Sequence, residues 1–246
     1  MDYKSMADMH FSSSLGSIHY KFHKGSSEKT LVLLHGFGAS SLSWSRFIEQ
    51  LPDELNIVAP DLLGHGSSAA PKMEYTISNQ ADSIKELLKS ISGQSMALMG
   101  HSYGGWIAAV IAMQGIADYL ILEDAAGITK FDDERLANDP DFAEKLIKEA
   151  LVTNPNEHVL RSIIYSRTQA DYLTCEKLSR IRVPSLIIWG NEDLMVPVKF
   201  AYTFNSCISG SEILILEGAK HTPHYTDAKK VADKVLSFLA QRKKIF

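Results

Sequence analysis

The chain has 246 residues, of which 45% are hydrophobic and 22% charged, so it can bury one sizeable core and is too apolar to be a disordered chain. Its 29 acidic and 25 basic residues leave a net charge of −4, which argues against nucleic acid or an anionic membrane as a partner. No apolar run approaches the roughly 20 residues that span a bilayer, and the first residues lack the apolar centre of a signal peptide. A cytoplasmic protein is therefore expected, monomer or homodimer, with no membrane partner. Cys175 and Cys207 have neither zinc-ligand spacing nor a C-x-x-C arrangement, so reduced structural thiols are expected.

Taken in order, residues from about His10 to Phe22 alternate weakly around Leu15-Gly16-Ser17, the pattern of an edge hairpin. Thr30 to Leu34 is a continuous apolar run, which predicts a strand covered on both faces, and it ends abruptly at His35-Gly36-Phe37-Gly38. Ser41 to Leu51 reads as a helix closed by Pro52, and Asn56 to Pro60 as another buried strand. A glycine-rich turn follows at Asp61 to Ser68. Ala81, Ile84, Leu87, Leu88 and Ile91 then recur at helical spacing within residues 77–91.

Met96 to Met99 is a short buried strand, and Trp106 to Met113 is an apolar helix. Between them lies Gly100-His101-Ser102-Tyr103-Gly104, a G-x-S-x-G turn that holds one serine exposed at a sharp reversal. Tyr119 to Leu122 is a sixth strand, ending in Glu123-Asp124. Strand and helix alternating in this way predict an α/β class fold: a mostly parallel central sheet with helices on both faces.

The rhythm breaks between Gly127 and Arg180, a charge-rich stretch with helical patches at Phe142 to Leu151 and Val159 to Tyr165. It is expected to be a small helical cap, residues 127–180, inserted after the sixth strand into a core of residues 1–126 and 181–246. Val183 to Trp189 resumes the strand pattern, Val198 to Asn205 reads as a helix, Glu212 to Leu216 as the last strand and Ala228 to Arg242 as a closing helix.

Five stretches carry a resemblance: His35-Gly36-Phe37-Gly38, Asp61-x-x-Gly64-x-Gly66, the Ser102 turn, Gly190-Asn191-Glu192-Asp193-x-x-x-Pro197 and Gly218-Ala219-Lys220-His221. In this order they resemble the α/β-hydrolase superfamily over nearly the whole chain, and within it the small-cap, carboxylesterase-like serine hydrolases. The resemblance implies the α/β-hydrolase fold, Ser102 as nucleophile, His221 as base and Asp193 as the acid that orients it. Each role makes chemical sense, because a serine hydroxyl needs a base within reach and that base needs a partner to fix its tautomer. Glu192, which adjoins Asp193 and would need to turn the other way, and Asp124, at the end of the sixth strand where some members place the acid, are rivals for that role. The backbone N–H groups of Phe37 and Tyr103 are the expected oxyanion donors. No metal and no cofactor are implied.

His224 is read either as a residue supporting the reacting set from behind or as a surface residue. His101 is expected to point away from Ser102 as a packed histidine, and His35 and His65 to stabilise turns. Gly36, Trp44, Trp106 and Met195 are candidate pocket residues, with Phe131, Phe142, Leu146, Ile147 and Ile164 from the cap, although large apolar residues at helical spacing are also what any packed helix shows. The expected function is hydrolysis of small soluble carboxylic esters. A C–C bond hydrolase or enol-lactonase is the enzyme alternative, with Arg161, Arg167 or Arg180 available to hold a substrate carboxylate. A ligand receptor or signalling module built on the same fold is the alternative of another class.

Overall fold

The computed structural model describes residues 1–91, 95–128, 141–168 and 170–241. Eight strands form one sheet: β1 (Ala7–Ser13), β2 (Gly16–His23), β3 (Lys29–Leu34), β4 (Asn56–Pro60), β5 (Ser95–His101), β6 (Tyr119–Glu123), β7 (Ser185–Gly190) and β8 (Glu212–Leu216), in the order β1-β2-β4-β3-β5-β6-β7-β8. The hairpin β1–β2 is antiparallel and β2 joins β4 antiparallel, while every pairing from β4 to β8 is parallel. This is the α/β architecture that the alternation of elements predicts.

Side chains alternate across the sheet as the pleat requires, and both faces are buried. Val32, Leu34, Val58, Leu98 and Ile187 point into one core layer with α2 (Ile77–Ser90) and α3 (Tyr103–Ala112). Leu31, Leu33, Ile57, Met99 and Ile188 point into the other, with α1 (Ser45–Ile48) and the closing helix. Helix α2 starts where Thr76 accepts the Asn79 N–H at 3.1 Å and buries the stripe Ile77, Ala81, Ile84, Leu87 and Leu88. Helix α3 is buried nearly all round, which explains its unbroken apolar sequence.

Helix α1 is shorter than its sequence predicts. Ser41–Trp44 is a tight 3₁₀ turn, because the Ser41 N–H is drawn to Asp61 Oδ1 at 2.7 Å and Ser43 donates its hydroxyl to the Ser40 carbonyl. A four-residue α-helix follows.

Within residues 127–180, α4 (Phe142–Ala150) and α5 (Glu157–Tyr165) share a small core of Ala143, Ile147, Ala150, Leu160 and Ile164, and Phe37 packs against it. Thr153 donates its hydroxyl to the Gly38 carbonyl at 2.8 Å, and the amides of Asn154 and Asn156 both donate to the Gly64 carbonyl at 3.0 Å. These bonds tie the segment to the loops after β3 and β4, at the carboxyl edge of the sheet. Phe131 and Arg242 lie outside the described residues.

The expectation of reduced thiols is corrected. Cys175, in α6 (Cys175–Leu178), is disulfide-bonded to Cys207, in α7 (Lys199–Cys207), with Cα atoms 5.0 Å apart. Their separation of 32 residues in sequence says nothing about distance in space, because the two helices pack side by side. The chain closes with α8 (Pro223–Thr226) and α9 (Ala228–Ala240), and no described helix is long and apolar enough to cross a membrane.

Candidate active site

Strand β5 delivers Ser102 to its carboxyl end, where the chain reverses into α3. Ser102 adopts φ 50° and ψ −115°, a left-handed backbone that a serine takes only under constraint from its surroundings. The constraint is visible in three hydrogen bonds: the Ser102 N–H donates to the Glu123 carbonyl at 3.0 Å, while its carbonyl accepts from Trp106 and Ala126. The reversal also needs the flanking glycines. A Cβ on Gly100 would sit 2.3 Å from the Gly104 carbonyl oxygen, and one on Gly104 would sit 2.3 Å from that of Leu34.

Two other strand ends bring partners to the hydroxyl. His221, five residues beyond β8, places Nε2 3.0 Å from Ser102 Oγ, and its Nδ1–H donates to Asp193 Oδ2 at 2.7 Å. Asp193, beyond β7, is solvent-free at its carboxylate and accepts at Oδ1 from the N–H groups of Met195 and Val196, at 2.7 and 3.0 Å. Met195, a candidate pocket residue, is half-buried in the loop that holds the acid. The imidazole keeps 21% exposure, so it can exchange protons with solvent.

The loop after β3 closes over the serine. A Cβ on Gly36 would meet the His101 ring at 2.9 Å and the Ser102 side chain at 3.4 Å, so the Phe37 peptide follows a backbone already in contact with the serine. The N–H of Tyr103 is the first of α3 and has no partner within the helix. His35 and His65 anchor this loop and the next. His35 Nε2 accepts from the Leu62 N–H at 3.0 Å, and His65 Nε2 accepts from the Gly38 N–H at 3.3 Å. Burial keeps both rings neutral, lowering the pKa of His35 and pushing that of His65 down to about 3.

Asp124 also has a positive φ, 43°, and is fully buried with Oδ1 on the Gly190 N–H at 3.1 Å. Burial, then the neighbouring charges of Glu123 and Asp193, push its pKa well above the ordinary carboxylate value. Asp124, Asp193 and His221 each bring one ligand-type atom within 4.8 Å of the others. The His221 Nδ1–Asp193 Oδ2 contact at 2.7 Å commits those two atoms to a shared proton.

Two expected pocket residues fall elsewhere. Trp44 is fully buried in the layer of α1 and α9, with its ring 5.7 Å from Phe47 and 4.3 Å from His224. Trp106 is fully buried in the opposite layer, stacked on Tyr172, with Nε1–H donating to the Asp171 carbonyl at 3.1 Å. Both belong to packed core. Arg161 is held by Glu144 and Glu157, and Arg180 by Glu176, on exposed helix faces, while Arg167 lies 5.7 Å over the Trp106 ring. His224, expected either behind the reacting set or at the surface, is 1% exposed and bonded to Glu123, so it is not a surface residue. Its spacing from His221 and the acid ending β6 were the available signals.

Residues 31–234 match the profile of the alpha/beta hydrolase family. The chain is similar to the 2-hydroxy-6-oxo-6-(2'-aminophenyl)hexa-2,4-dienoic acid hydrolase of Metapseudomonas resinovorans, 25% identical, with 92% of this chain and 89% of that protein covered. It is also similar to monoacylglycerol lipase abhd6-A of Xenopus laevis, 26% identical, with 88% of this chain and 77% of that protein covered. Among solved structures, a bacterial membrane phospholipase A superposes with a TM-score of 0.79 at 25% identity, covering 97% of this chain and 87% of that one.

Proposed function

This chain belongs to the alpha/beta hydrolase family, and we propose that it is a serine hydrolase cleaving carboxylic esters of small soluble substrates through an acyl-enzyme. The observation that carries the proposal is the continuous line from Ser102 Oγ through His221 to Asp193, with links of 3.0 and 2.7 Å. In the first half-reaction, His221 Nε2 takes the hydroxyl proton as Oγ bonds to the ester carbonyl carbon. The N–H groups of Phe37 and Tyr103 stabilise the oxyanion, and loss of one such donor typically costs about 10²- to 10³-fold. Collapse breaks the bond to the alkoxide, which leaves as alcohol with the proton from His221. Water, deprotonated by the same nitrogen, then releases the acid and restores Ser102. Asp193 holds the tautomer and stabilises the imidazolium.

Similarity to a monoacylglycerol lipase supports an ester substrate. Similarity to a dienoic acid hydrolase favours C–C cleavage as the second reading. Against that reading, Arg161 and Arg180 are already engaged by carboxylates on the surface. The α4–α5 segment, resting on the Phe37 loop, acts in this proposal as the cap that bounds the acyl site. Turnover of p-nitrophenyl esters of increasing acyl length, beside lactones and dienoic acids, tests the proposal. Fast ester hydrolysis, abolished in Ser102→Ala, is expected; tight small-molecule binding with negligible turnover would favour a receptor instead.

A further inference from the structure

Strand β6 ends in Glu123, Asp124 follows it, and the two acids face different loops. Asp124 turns toward Asp193, whereas Glu123 turns toward the loop after β8. The Glu123 carboxylate is solvent-free and accepts twice from one residue: from the His224 N–H at 2.6 Å and from its ring Nδ1–H at 2.7 Å. The His224 ring lies 4.3 Å from that of Trp44 and 4.7 Å from that of His101. His101 in turn donates its Nε2–H to the carbonyl of His221 at 2.6 Å, with the two rings 4.8 Å apart. The backbone of the loop is therefore held at residue 221 by His101 and at residue 224 by Glu123.

A buried carboxylate is an expensive way to gain stability, since well-packed apolar residues of similar volume serve as well or better. What this one supplies is placement: two acceptors on one rigid strand end fix both a backbone N–H and a ring orientation three residues beyond the imidazole that must reach Ser102. We infer that Glu123 is a positioning residue, which through His224, and with His101 bonded to the His221 carbonyl, keeps His221 Nε2 in register with Ser102 Oγ. The inference rests on the serine-hydrolase reading above. A misplacement of about 1 Å at such a site costs on the order of 10²-fold in rate.

The test compares Glu123→Gln, His224→Leu and His224→Asn with the wild-type chain in p-nitrophenyl acetate hydrolysis. It also follows the His221 Nδ1 proton by NMR, a readout of the same geometry that needs no turnover. Glu123→Gln and His224→Leu should lower kcat by about 10- to 100-fold with KM within about twofold, and should broaden the His221 resonance. His224→Asn, whose amide donor lies where Nδ1 was, should recover most of the loss. The inference is overturned if Glu123→Gln and His224→Leu keep wild-type kcat and an unmoved resonance, or if His224→Asn is as impaired as His224→Leu. Should Glu123→Gln not fold, the two His224 variants decide. Absence of wild-type ester turnover would instead count against the serine-hydrolase reading, leaving the resonance to judge the positioning.

Discussion

The side chains of Asp124 and Asp193, at the ends of neighbouring strands, bring their carboxyl oxygens within 4.8 Å of one another and of the His221 ring. The two were rivals for the same role in the sequence, and their surroundings separate them. Asp193 has two backbone donors and the His221 ring, whereas Asp124 has the Gly190 N–H and the repulsion of two neighbouring acids. Asp193→Asn should lower kcat by about 10⁴-fold, because the amide favours the wrong tautomer. Asp124→Asn, which keeps an acceptor for the Gly190 N–H, should leave kcat within about threefold. Steady-state kinetics of the two variants check this, and equal losses would contradict it.

Gly38 sits at φ 70°, and a Cβ there would lie 2.6 Å from that of Ala150 in α4. Gly38→Ala should therefore push the α4–α5 segment off the Phe37 loop. A loss of about 1–3 kcal/mol in stability and a drop in kcat are expected together. Urea unfolding and ester kinetics on the same preparation read both.

Acid should destabilise the fold earlier than its carboxylates require. His65 is held at about 3 in the folded chain by burial first, and burial likewise lowers His35 and His101. Unfolded histidine titrates near 6.5, so between that pH and the folded value the unfolded chain binds more protons. Stability is then fully present above about pH 6.5 and falls as pH drops, by about 1.4 kcal/mol per pH unit for each buried neutral histidine. Urea midpoints measured from pH 7 to pH 4.5 should fall steadily, and a flat profile would contradict the neutral-ring assignment.

The Cys175–Cys207 bond closes a loop spanning 32 positions and joins residues expected in the cap and in the core. Replacing both cysteines by serine should lower unfolding stability by about 3–4 kcal/mol. Thermal melts with and without a reductant measure the same effect on the native chain.

The fold was legible where local pattern and burial agree. The unalternating runs at Thr30–Leu34 and Tyr119–Leu122 became central parallel strands, and the stripe from Ala81 to Leu88 became the buried face of α2. Legibility failed where the deciding partner lies far along the chain. Asp61 draws Ser41 into a 3₁₀ turn, Cys207 waits 32 residues from Cys175, and Glu123 buries a histidine 101 positions away. Ser102, Asp193 and His221 were legible through the motifs that resemble the family, and parallel strands bring the ends that carry them to one edge, where the three side chains meet. Trp44 and Trp106 show the reverse: residue type alone does not separate a pocket wall from a core.

Ester hydrolysis by this chain depends on Ser102 Oγ taking the acyl group. Incubation with a serine-directed fluorophosphonate, followed by peptide mass mapping, reads this directly. One adduct per chain on the peptide containing Ser102, lost in Ser102→Ala and slowed in His221→Ala, is the predicted result. A folded protein that hydrolyses esters while Ser102 stays unlabelled, or a Ser102→Ala variant that keeps full turnover, would contradict it.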